Sequence, residues 1–208
     1  MNAALRKALF GLPLAAALAL GVTPADAGPS PVAQRLMRTG DTEIYAVAVP
    51  GASIKAGAAR LHIAAPADAA KRLASDYAHY SSFIRQFEQS RIVGKHGEQT
   101  DVYLRVPILK GAAKIWAVMR FGPPRQVSAD EYVIEGKMVR GNVKRFDAKY
   151  RITRIDAQNT QLNLEMLIVP RLPFPGSVVT GEVSRACRSA VRQIRDAAEG
   201  KSPSGQGK

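Results

Sequence analysis

Residues Gly176 to Gly200 read GSVVTGEVSRACRSAVRQIRDAAEG. Val179, Val183, Ala186, Cys187, Ala190, Val191, Ile194 and Ala198 recur at steps of three and four, which is one apolar stripe on an α-helix. Arg185, Arg188, Arg192 and Arg195 fall opposite and are expected to face water. Pro173 and Pro175 precede the stripe and Gly200 closes it, as helix start and stop signals do. A long helix with a narrow, small-sided stripe needs a broad apolar partner. The chain before it supplies one.

From Arg91 onward the apolar period is two. Val102, Leu104, Val106 and Ile108 share a face, as do Ile115, Ala117, Met119 and Phe121. Tyr132, Ile134 and Met138 follow, then Phe146, Ala148, Tyr150 and Ile152, then Leu162, Leu164, Met166 and Ile168. Turns at His96-Gly97, Gly111, Gly122-Pro123-Pro124 and Gln158-Asn159 separate these runs. Together they predict an antiparallel meander of about six strands. Two further strands are expected over 43–49 and 58–64. Pro66 then opens a short helix, and 76–87 forms a second helix or turn with Asp76 as its cap. The fold class is therefore α+β, a curved antiparallel sheet holding one long C-terminal helix. Met119, Met138 and Met166 are expected to point into the gap between them.

The N-terminus reads as a secretory signal. Arg6 and Lys7 precede the apolar run 8–22, and Ala25-Asp26-Ala27 offers a small-residue cleavage site. A retained membrane anchor is the other reading of that run. The expected organisation is a signal peptide over 1–27, a flexible leader over 28–42, one domain over 43–200 and a disordered tail over 201–208. Export, to a bacterial periplasm, follows from cleavage after Ala27. The single cysteine, Cys187, allows no intramolecular disulfide and falls on the helix stripe, where a buried, unreactive thiol is expected.

The net charge of +13 suits an anionic membrane surface, nucleic acid or plain solubility. Export and the lack of basic–aromatic interleaving argue against nucleic acid. Arg105, Lys114, Arg120, Lys137, Arg145, Lys149 and Arg151 alternate opposite to the apolar set, with Trp116 among them, and predict an outer sheet face of nearly one sign. Histidines 62, 79 and 96 fall on separate elements, so no metal site and no cofactor is expected. No catalytic motif is present. Glu135 and Glu165 alternate outward, away from any pocket.

The order of elements, with IAAPADAAKRLASDYAHYSSFIRQFEQSRIV over 63–93 and VPRLPFP over 169–175, resembles the START/Bet v 1-type helix-grip superfamily. The polyketide cyclase/dehydrase-like and coenzyme Q-binding START branch is the nearest in pattern. That resemblance implies a hydrophobic small molecule, a lipid or polyketide-like compound, between helix and sheet. Its alternative is a cyclase/aromatase-type enzyme using the same cavity. The ligand-contacting residues expected on this reading are Tyr77, Tyr80, Phe83, Leu104, Ile115, Met119, Met138, Tyr150, Met166, Leu172, Phe174, Val183 and Cys187. The tyrosines either place hydroxyls in the cavity or form the amphipathic edge of the core. Leu172 and Phe174, on a proline-stiffened loop, either tuck over the core end or form a lip that touches an anionic membrane.

Overall fold

The computed structural model describes residues 28–108, 113–171 and 173–201. The segment read as a signal peptide, the turn at Gly111, Leu172 and residues 202–208 lie outside the described residues.

A helix α1 (Pro31–Thr39) leads into the strand pair β1 (Thr42–Val47) and β2 (Ala56–Ile63). Helix α2 (Ala67–Ala74), a 3₁₀ turn over Tyr77–His79 and the one-turn helix α3 (Tyr80–Phe83) follow. The meander then runs through β3 (Gln89–His96), β4 (Gln99–Ile108), β5 (Ala113–Phe121), β6 (Arg125–Ser128), β7 (Glu131–Gly141), β8 (Arg145–Arg154) and β9 (Thr160–Val169). Helix α4 (Gly176–Ala198) ends the fold. The sheet order is β1-β2-β9-β8-β7-β5-β4-β3, antiparallel throughout, with β6 attached to β7. The pairing of β2 with β9 joins the first strands to the last and places α4 beside both.

The alternation sorts as expected. Val102, Leu104, Met119, Phe121, Ile134, Phe146, Tyr150, Ile152, Leu162 and Leu164 are buried in one cluster with Val183, Cys187, Ala190, Val191 and Ile194 of α4. Burial of this kind contributes roughly 25 cal/mol per Å² of apolar surface. Gly136 on β7 clears space for the Phe121 ring opposite it, since a Cβ there would meet ring Cδ1 at 2.6 Å.

Four expectations need correction. The residues read as a leader form α1: Ser30 Oγ accepts from Ala33 N at 3.2 Å, Pro31 begins the helix, and Gly40 ends it at φ 68°. Leu36 is 1% exposed, so α1 belongs to the domain. Arg195 is not on the solvated side of α4: its side chain is half-buried, with Nη1 donating to Gly40 O, at the C-cap of α1, at 3.2 Å. Asp76 caps no backbone N–H; its Oδ1 takes the His79 ring Nδ1 at 2.7 Å. Strand β6 went unread because its four residues are all exposed and carry no apolar alternation.

Candidate functional site

Helix α4 packs along β1, β2 and β9. Contact is closest at Gly57, where a Cβ would lie 2.8 Å from both Thr180 O and Ser184 Oγ. Cys187 Sγ donates to Gly57 O at 3.3 Å, Thr180 Oγ1 donates to Lys55 O at 2.8 Å, and Ser184 Oγ lies 3.3 Å from Tyr45 O. This seam is sealed. Burial pushes the Cys187 thiol well above its usual range. Native protein is therefore expected to react with a thiol reagent such as DTNB at least a hundredfold more slowly than denatured protein; rapid native labelling would show the seam to be open.

The other half of the concave face is filled from above by aromatic side chains. Tyr77 stacks on Phe121 with centroids 4.5 Å apart and meets Tyr80 edge-on at 5.7 Å. Tyr80 also meets Phe83 edge-on at 5.8 Å and stacks on Phe87 at 5.5 Å. The Tyr80 hydroxyl donates to Ala74 O and shares a hydrogen bond with the Tyr150 hydroxyl. Desolvation raises all three phenols, Tyr150 to about 12, so they stay neutral at physiological pH.

Half-buried apolar side chains pack against the same core and form its rim towards solvent, among them Phe83, Phe87, Ile115, Met138, Ile168, Val179 and Ala186. A polar latch ties the segment after α3 to α4. Gln193 Nε2 donates to Gln86 Oε1 at 3.0 Å, Gln86 Nε2 donates to Ser189 Oγ, and Arg85 N donates to Gln193 Oε1 at 2.7 Å.

The structure brings together Tyr77, Tyr80, Phe83, Leu104, Ile115, Met119, Met138, Tyr150, Met166, Val183 and Cys187 in or against one cluster. Phe174 stays apart, 50% exposed on the segment before α4, and Leu172 lies outside the described residues. At Met119 and Cys187 no gap is open under the helix: neither side chain has exposed surface. Two cavities lie elsewhere. One of about 230 Å³ sits on the outer sheet face over Ala56, Gly136 and Leu167. One of about 930 Å³ lies between the start of α1, Pro66 and the β8–β9 turn. Sequence reasoning missed Phe87, Phe121 and Ala186 as site residues; Phe121 and Ala186 were visible as stripe positions, but which part of each stripe borders the rim follows only from the curvature of the sheet.

The outer face is not of one sign. Arg105 and Lys114 pair with Glu88, Arg120 with Asp101, Arg145 with Asp147, Lys149 with Glu135 and Arg151 with Glu131. Each acid lies on a neighbouring strand or beside its partner, so alternation along one strand could not reveal it. The Arg120 guanidinium, with both Asp101 oxygens within 2.8 Å, holds that carboxyl below its usual range. Trp116 stacks on Tyr103 at 6.3 Å, and Arg91 lies over the Tyr103 ring at 5.0 Å. The histidines are apart: His62 pairs with Asn159 at 2.8 Å, His79 with Asp76, and His96 with Asp101 at 3.0 Å. Among the described residues no group of His, Cys, Asp or Glu is arranged to hold a metal ion.

Comparison with solved structures places this architecture. A START superfamily protein from Mycobacterium smegmatis superposes with a TM-score of 0.61 at 15% identity, covering 69% of this chain and 96% of its own. The fold is START-like. A STAR-related lipid transfer protein from Xanthomonas axonopodis gives 0.63 at 13% identity, covering 76% and 93%. The Zhui aromatase/cyclase from Streptomyces sp. R1128 gives 0.58 at 17% identity, covering 76% and 94%. No family model and no curated protein sequence matches the chain. The START-like frame accounts for the position of α4 across the closing strands and for the aromatic segment of residues 77–87 over the open half of the sheet.

Proposed function

We propose that this chain is an exported carrier that binds a hydrophobic small molecule, lipid or polyketide-like, between α4 and the concave face of the sheet. The observation that carries this reading is the uncharged interior with half-buried apolar side chains packed against it. Among the described residues the buried set holds one charged group, Asp101, and it faces outward to Arg120. Structural neighbours named as lipid transfer and aromatase/cyclase proteins fit the same ligand class. Binding without chemistry is favoured over a cyclase because the titratable groups inside are Tyr77, Tyr80, Tyr150 and Cys187, all shifted upward. None would take a proton as a base near neutral pH.

Since the core is closed, entry requires the rim to part at Phe83, Phe87 and Met138, with the Gln86–Gln193 latch released. Burying about 400 Å² of apolar ligand surface contributes roughly 10 kcal/mol. Association and opening costs of order 4 kcal/mol or more leave about 6 kcal/mol or less, an affinity of tens of micromolar or weaker. The exposed Phe174, at the α4 start, is the candidate membrane contact. Arg140 and Lys144 are exposed near the β7–β8 turn, and Arg171 Nη2 donates to Gly141 O at 3.3 Å. These cations would meet anionic headgroups.

The test is to purify residues 28–208, extract with organic solvent for mass spectrometry, and titrate the stripped protein with Nile red. A co-purified apolar compound, or dye uptake that is faster from anionic than from neutral vesicles, is the expected result. Neither extractable compound nor dye binding would end the carrier reading. Turnover of a polyketide-like chain would replace it with the cyclase.

A further inference from the structure

Within the interior just described, one polar side-chain atom has no partner among the described residues. The hydroxyl of Tyr77 is shielded from solvent and no described group pairs with it. The residue is 6% exposed. Its ring cannot swing to find a partner, because it lies flat on Phe121 at 4.5 Å and edge-on to Tyr80 at 5.7 Å. Its backbone is fixed as well, since the Ser90 hydroxyl donates to Tyr77 O. The neighbouring phenols differ: Tyr80 is bonded to Ala74 O, and Tyr80 and Tyr150 are bonded to each other. A buried phenol left unpaired is unfavourable, so its retention in a packed interior calls for an explanation, and a ligand that accepts its hydrogen bond is one.

We infer that Tyr77 is the polar anchor of the ligand site and that the ligand carries a neutral hydrogen-bond-accepting oxygen, a ketone, ester or ether, on its buried end. This rests on the carrier reading and narrows its ligand class. The donor comes from Tyr77, so the ligand supplies the acceptor. The charge state follows from the surroundings: among the described residues no Lys, Arg or His is buried, so a carboxylate entering there would lose its hydration with no cation to replace it. Fatty-acid anions are therefore poor ligands, and oxygenated neutral molecules of equal chain length are good ones.

The probes are 2-decanone, decane and decanoate at pH 8, each competing with Nile red on the stripped wild type and on Tyr77→Phe. In the wild type 2-decanone is expected to bind three- to tenfold more tightly than decane, the range a single hydrogen bond gives, and at least tenfold more tightly than decanoate. In Tyr77→Phe that advantage over decane disappears, decane binds as before, and the thermal midpoint is unchanged or higher because an unpaired polar atom has been removed. Equal binding of ketone and alkane to the wild type, a Tyr77→Phe effect of the same size on both, or preference for decanoate would overturn the inference while leaving the carrier reading intact. A fall of several degrees in the Tyr77→Phe midpoint would also overturn it, by showing the hydroxyl to be paired in the empty protein. Failure of Nile red and all three compounds to bind would remove the carrier reading itself.

Discussion

Gly57→Ala lowers the thermal midpoint by roughly 6–12 °C, measured by circular dichroism on residues 28–208. The added methyl has no free space: it would lie 2.8 Å from Thr180 O and Ser184 Oγ, with Ser184 N closer still. Two of those three atoms belong to the α4 backbone, so no side-chain rotation relieves the clash. The helix must lift off β2, stretching the Cys187–Gly57 and Thr180–Lys55 hydrogen bonds. Overpacking costs about 1–3 kcal/mol, and a backbone clash belongs at the top of that range or beyond. For a domain of this size each kcal/mol moves the midpoint by about 2–4 °C. The matched control is Gly181→Ala on α4, whose added methyl meets nothing within 4 Å. That substitution raises the midpoint by a few degrees, because alanine favours a helix interior by about 1 kcal/mol over glycine. The same chemical change at two glycines 124 positions apart in sequence thus has opposite signs. An unchanged midpoint for Gly57→Ala would mean that α4 does not sit on β2 as described.

How much of this was legible beforehand follows from the range of each interaction. The α4 stripe and the strand faces are local patterns, and Val183, Cys187, Val191 and Ile194 pack where their spacing puts them. Helix α1 had its signals in Ser30, Pro31 and Gly40, but nine residues with two buried side chains resemble a leader until β2 is known to lie beneath them. The ion pairs of the outer face required register: Arg120 stands directly opposite Asp101, and Lys149 opposite Glu135. For the site, the residue types were readable and their state was not. Alternation put Met119 and Tyr150 inward. Only the packed structure separates a filled core from an open gap, or the unpaired hydroxyl of Tyr77 from the paired one of Tyr80.

That difference between two neighbouring tyrosines sets the last expectation. Tyr80→Phe removes a hydroxyl bonded to Ala74 O and to Tyr150, leaving a buried carbonyl and a buried phenol short of partners. The cost is about 1–3 kcal/mol, or roughly 2–12 °C. Tyr80→Ala adds the loss of a ring that is 1% exposed and touches Tyr77, Phe83 and Phe87, raising the cost to about 3–5 kcal/mol. The second loss has a functional consequence. Tyr80 ties the end of α2 to β8 and supports the rings of Phe83 and Phe87 at the rim, so its removal frees residues 77–87 while β8 and β9 stay paired. Hydrogen exchange is expected to speed up at least tenfold across that segment in Tyr80→Ala, and Nile red exchange should quicken with it. Tyr77→Phe should do neither. If Tyr80→Phe proved as harmless as Tyr77→Phe, the assignment of one phenol to holding the plug and the other to meeting the ligand would collapse.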